Sequence, residues 1–191
     1  DLILRWTPPD ASSARQLRCR RQDGPRVSGR RPKTWQVTLV STDVYALAAS
    51  EASMVITAGA AAGEVGIPNP IVDPIATSYN TTGQQYCVNQ GDAPTWPRFR
   101  VDGPIVNPVL LNNTTGQQVA LTYTLASGEF LDVYPERGVI LAGGTADRYS
   151  ALDFAASTWW QLQPGSNDVP LLASSYSSPA ALTVAWRHAY E

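Results

Sequence analysis

His188 is the only histidine in the sequence, and Cys19 and Cys87 are the only cysteines. A Ser-His-Asp triad would have to recruit His188, but no G-x-S-x-G stretch exists to present a serine. One histidine and two distant cysteines cannot close a structural zinc site. His188 therefore reads as a surface or interface residue, and the cysteines read as two separate thiols. The sole lysine, Lys33, follows a proline rather than a phosphate-cradling glycine loop. Gly59 to Gly66 is glycine-rich but lacks the preceding strand and the following acid of a dinucleotide site. Asp132, Glu136, Asp147 and Asp153 are the acids that could supply a glycosidase pair, and beside turns they read as solvated. No enzyme and no cofactor are expected.

Two other groups of side chains could bind rather than react. Residues 1–33 hold nine basic groups against three acids, +6, while the remainder holds five against thirteen, −8, so the net −2 conceals a strong segregation. Arginine dominates the basic stretch, and its planar fork suits carboxylates at interfaces as well as phosphates. Without a recognition helix, zinc finger or RNA-binding aromatic signature, inter-subunit ion pairs from Arg18, Arg20, Arg21, Arg30 and Arg31 are expected ahead of specific nucleic-acid binding. The second group is aromatic. Trp96, Trp159 and Trp160 could stack on sugar rings, whereas buried tryptophans would fill a core. Neighbours on one strand point to opposite faces, so at most one of Trp159 and Trp160 is core and the other anchors a loop, partner or ligand.

The elements that must position these residues are short strands. Hydrophobic residues make up 43% and charged residues 16%, and fifteen prolines and fourteen glycines punctuate the apolar runs, which favours β structure with frequent turns over long helices. No apolar run approaches the length that spans a bilayer. Arg15–Arg20 and Thr34–Val40 alternate with period two, and this pair of strands is expected to need further strands from upstream or from partner chains. The only methionine is Met54, and Asp1-Leu2-Ile3-Leu4-Arg5 resembles neither a signal peptide nor a natural start, so the first domain is expected to be incomplete. Pro68, Pro70 and Pro74 interrupt both helix and strand, and residues 51–83 are expected to connect two domains.

From residue 84 the pattern changes. Strands are expected at 98–102, 107–112, 117–125, 129–134, 138–142, 148–154, 158–162, 168–173 and 181–187, with Val119, Leu121, Tyr123 and Leu125 on one face and Leu182, Val184 and Trp186 on another. So many short strands without intervening helices predict an antiparallel sandwich or barrel. Asn80-Thr81-Thr82-Gly83-Gln84-Gln85 recurs as Asn113-Thr114-Thr115-Gly116-Gln117-Gln118, which reads as one tight-turn solution used twice, with glycine at positive φ.

Four segments carry a resemblance. Asn89, Gly91, Asp92 and Pro97 followed by Gly103-Pro104, the turn closing on Gly116, the turn at Gly128-Glu129, and Trp159-Trp160-Gln161-Leu162-Gln163-Pro164-Gly165-Ser166-Asn167 resemble, in order and spacing, the C-terminal domain of siphophage distal tail (Dit) proteins. The resemblance implies an all-β architecture: a galectin-like (jelly-roll) β-sandwich over 84–191, preceded over 1–50 by part of a ring-forming belt domain. It further implies a homo-hexameric hub ring in a long non-contractile phage tail, joining the tail tube protein to tail-tip or receptor-binding proteins. Such a protein would be a virion component, assembled in the cytoplasm of the bacterial host. The alternative is a carbohydrate-binding module for host-surface glycans.

Overall fold

The computed structural model describes residues 2–9, 13–23, 26–28, 34–41, 43–57 and 86–191. In chain order the strands are β1 Leu2–Trp6, β2 Arg15–Arg21, β3 Arg26–Ser28, β4 Thr34–Gln36, β5 Leu39–Ser41, β6 Ala46–Ala48, β7 Ala52–Thr57, β8 Tyr86–Asn89, β9 Arg98–Asp102 and β10 Ile105–Asn112. They continue as β11 Gln117–Ala120, β12 Thr124–Leu125, β13 Phe130–Tyr134, β14 Val139–Ala142, β15 Ala146–Asp147, β16 Gly165–Asp168, β17 Leu171–Tyr176, β18 Ala181–Trp186 and β19 Ala189–Tyr190. Among the described residues there is no α-helix, only the 3-10 turns Pro135–Arg137 and Tyr149–Ala151. Every pairing among these strands is antiparallel.

Two sheets face each other as a sandwich. One has the order β15-β14-β13-β9-β18-β7; in the other, β10 is flanked by β11 and β12 on one side and β17 on the other. Period-two alternation sends Phe99, Val101, Leu131, Val133, Leu182 and Val184 inward from the first, to meet Ile105, Leu110, Val119, Leu125 and Leu171 from the second. Phe99 and Trp160 meet edge to face at 5.0 Å in the middle of this core. Burying a Val, Leu or Phe side chain contributes about 1.5–3 kcal/mol each, so this layer is what holds the sandwich together.

A five-stranded sheet precedes the sandwich, with the order β1-β2-β6-β19 and β5 also on β2. The sequence-based pair is therefore completed by strands of the same chain, and one of them, β19, comes from its far end. Thr34–Val40 is not one strand: β4 pairs with β3 in a separate hairpin, and β5 pairs with β2. Residues 52–57, assigned to the connection by sequence, are instead an edge strand of the sandwich, β7 on β18 in the register Ile56↔Leu182. The rest of the expected connection, 58–83, and the first copy of the repeated turn lie outside the described residues. The second copy turns on Gly116 at φ 71°, with its N–H donating to the Asn112 carbonyl at 2.8 Å.

The strands expected at 148–154 and 158–162 do not form. The first is a 3-10 turn followed by a single bridge, Leu152 to Leu121, and the second is extended chain joined to Thr95 through Leu162. Leu152, Trp160 and Leu162 are buried nonetheless. Their alternating pattern reports burial without a ladder.

Candidate functional site

Asn89, Gly91 and Asp92 form a cradle for residues 187–191. Asn89 ends β8 and is buried. Its Nδ2 donates to the Ala93 carbonyl at 2.8 Å, and its Oδ1 accepts from the N–H groups of Gly91 at 3.1 Å and Ala189 at 3.4 Å. A Cβ on Gly91 would sit 1.7 Å from the Ala189 carbonyl oxygen, so only glycine lets the two backbones approach. The Ala93 N–H donates to that oxygen at 3.1 Å, and Asp92 Oδ1 accepts from the Glu191 N–H at 2.9 Å.

The same five residues also fasten to the first sheet. β19 pairs with β6 through Ala189↔Leu47 and Tyr190↔Ala46. The Ala48 N–H donates to the His188 carbonyl at 2.7 Å, and the Arg187 guanidinium donates to the carbonyls of Ala48 and Ala49. Arg15 lies 4.0 Å over the Tyr190 ring. Residues 187–191 are thus a strap held by both halves of the protein. His188, expected to be a surface or interface residue, sits half-buried in the strap, where its Nδ1 accepts from the Gln90 N–H at 3.1 Å. Partial burial pushes its pKa below the ordinary value.

The remaining motif residues hold turns and loops. Asn167 is buried, with Nδ2 donating to the carbonyls of Gln163 and Gly165 and Oδ1 accepting from Asn112 Nδ2 at 3.2 Å. Gly165 and Gly128 have φ 87° and 84°. Gly103 packs against the backbone of Ala126, Pro97 is buried and Pro164 is exposed.

Between the first sheet and the sandwich lies a cleft of about 640 Å³. Gln16 and Arg18 line it on one side and Trp96, Tyr134, Arg137 and Gln161 on the other. Arg18 does not stand free for a neighbouring subunit: its guanidinium reaches Asp43 at 3.0 Å and Glu136 at 3.1 Å, the latter across the cleft. Arg20 and Arg21 are exposed and form no ion pair among the described residues, whereas Arg30 and Arg31 lie outside them. Arg98 crosses from β9 to Glu51 at 3.2 Å.

The three tryptophans proposed for sugar stacking are separated. Trp96 is 37% exposed at the cleft. Trp159 is half-buried against the core beside Gly138. Trp160 is only 1% exposed, with its indole N–H donating to the Leu110 carbonyl at 2.9 Å, so it cannot stack on a ligand and is a core residue. Among the candidate acids, Asp147 and Asp153 accept from turn N–H groups and Glu136 is held by Arg18. Among the described residues no three potential metal ligands gather, and no helix is long and apolar enough to cross a membrane.

The face of the first sheet opposite the cleft carries an apolar patch, flanked along β2 by Arg15 and Arg21. Antiparallel partners share a face, so Leu4 and Leu17, which are paired in register, stand with Leu2 and Leu39. Leu2 and Leu4 remain 53% and 43% exposed. Sequence reasoning missed β1 altogether, although the run Leu2-Ile3-Leu4 was a visible signal. It also missed the strap, which lies a hundred residues or more along the chain from both of its anchoring sites and leaves no local trace.

No curated protein sequence matches the chain. A solved structure is similar in fold: that of SPP1 Dit (gp 19.1), described as a paradigm of hub adsorption apparatus in Gram-positive-infecting phages, at TM-score 0.60 and 19% identity. The likeness covers 100% of this chain, which spans 66% of the length of that one. The family model for the siphovirus-type tail component, C-terminal domain, matches residues 90–190, a stretch that takes in the motif turns, the Trp96 lip of the cleft and nearly all of the strap. That match covers more than half of the sequence, and the chain belongs to the siphovirus-type tail component family.

Proposed function

We propose that this protein is a subunit of the hub at the tip of a long phage tail, in which copies of the first sheet pack side by side into a ring. The observation that carries this reading is the apolar face of Leu2, Leu4, Leu17 and Leu39. Among the described residues this apolar surface has nothing covering it, and β1 has no strand partner on its outer edge. Family membership supports a place in the tail, and the hub apparatus described for SPP1 Dit supports a ring. Six copies, a junction with the tail tube protein and docking of tail-tip or receptor-binding proteins follow from the resemblance. Assembly would take place in the cytoplasm of the bacterial host, before the particle is released.

Native mass measurement of the full-length protein tests the ring. A discrete oligomer, reduced to monomer by Leu4→Asp with the sandwich still folded, supports it. A monomer that persists at about 100 µM, far above the dissociation constants of stable homo-oligomers, overturns it.

A further inference from the structure

The cleft opposite the apolar face is unexplained by ring formation, and its lining has a definite chemical character. Its volume of about 640 Å³ falls within the range of small-ligand sites. Most of its charges neutralise one another. Arg18 is held by Asp43 and Glu136, and Arg98 by Glu51, while the Arg187 guanidinium is used by the carbonyls of Ala48 and Ala49. Arg137 is the lining cation whose guanidinium has neither an ion pair nor a hydrogen bond among the described residues. Among the groups left for a ligand are an aromatic plane, two phenols, two primary amides and one guanidinium: Trp96, Tyr45 and Tyr134, Gln16 and Gln161, and Arg137.

This set discriminates among ligand classes. A nucleotide or polyphosphate would need several free cations, and the cleft offers one. An acyl chain would need a closed apolar tunnel, and this cleft is open and crossed by ion pairs. A saccharide presents an apolar C–H face for an indole and hydroxyls for planar amides and guanidinium groups, which is the match found here. Trp96 is also fixed in place beforehand. Thr95 before it exchanges two backbone hydrogen bonds with Leu162, at 3.0 and 2.9 Å, and Pro97 after it is buried. A backbone held in this way loses little freedom on binding.

We propose that the cleft between the first sheet and the sandwich binds a saccharide, with Trp96 as the stacking platform, Tyr134 and Gln161 meeting hydroxyls, and Arg137 favouring a sugar that carries an acid group. The site is independent of the ring, since it uses the other face of the sheet.

The test is 15N NMR of the six indole N–H signals of the 191-residue chain. Maltohexaose, chitohexaose and a galacturonate hexamer serve as probes, each taken to about 10 mM to reach the weak affinities of single-site sugar contacts. At least one probe should shift the Trp96 signal, and the acidic oligomer should bind more tightly than the neutral ones. Arg137→Ala should erase that preference. Trp96→Ala should weaken binding at least about tenfold, the loss of a principal stacking contact, and Trp96→Phe should recover part of it. Phe154→Ala, at an exposed ring away from the cleft, should bind as the parent does. Silence of the Trp96 signal with all three probes, full binding by Trp96→Ala, or a shift centred on Trp159 overturns the proposal.

Discussion

Replacing Asn89 by alanine should release the strap. The Asn89 side chain serves three backbone groups, the N–H of Gly91, the N–H of Ala189 and the carbonyl of Ala93. The site is buried, so water cannot fully replace these bonds. At about 1 kcal/mol for each group left without its partner, the low end of the range for orphaned polar groups, the loss is about 3 kcal/mol. For a chain of this size that lowers the midpoint of thermal unfolding by about 6–12 °C. Asp92→Ala is the natural comparison. It removes one exposed bond, to the Glu191 N–H, and should cost about 1 kcal/mol or less, so at most about 2–4 °C. Hydrogen exchange locates the damage: in Asn89→Ala the amides of Ala189, Ala93 and Ala48 should exchange faster, while those of β9 and β13 keep their protection relative to global unfolding. A midpoint within about 2 °C of the parent, or an unchanged Ala189 amide, would show that the cradle does not hold the strap.

Burial holds the Cys87 thiol at a pKa of about 12, against an ordinary 9.0. It should not react with a thiol-specific disulfide reagent at pH 8 until the protein unfolds. Because the unfolded chain releases this proton first, the thiol's contribution is intact below pH 9.0 and should decline between 9.0 and about 12, a slope that Cys87→Ala removes. His188 works in the other direction. Its folded pKa is lowered from 6.5, so its contribution is complete above that value and is lost as pH falls below it, when the proton arrives on the nitrogen that accepts from Gln90. Thermal midpoints between pH 7 and 5 should fall more steeply in the parent than in His188→Ala, and equal slopes would refute this.

The sandwich was legible in the sequence because most of its strands bury one face. Leu182, Val184 and Trp186 alternate with half-buried or small residues, so period two survives in the one-dimensional pattern. β7 escaped because Val55 is apolar yet points outward, at 57% exposure, which hides the inward set of Ala52, Met54 and Ile56. The segments around Leu152 and Trp160 deceived in the opposite sense, with buried side chains on irregular backbone. The motif residues Asn89, Gly91 and Asp92 were singled out, but their partners lie at the far end of the sequence, and spacing carries no information about such a meeting. Arg18 shows the same limit. Its charge was conspicuous, whereas its engagement by Asp43 and Glu136 depends on how the two halves dock.

The shared strap also sets a timetable for synthesis. β6 emerges from the ribosome long before its neighbour β19 has been translated, so the first sheet waits, with an unpaired edge at Ala46 and Leu47, for the sandwich and then residues 187–191 to appear. Chains fold in the order they are made, and surfaces left open meanwhile invite wrong pairing. Closure of the strap is therefore the step at which a newborn copy becomes a finished building block, and copies still awaiting it are the ones exposed to proteases and chaperones.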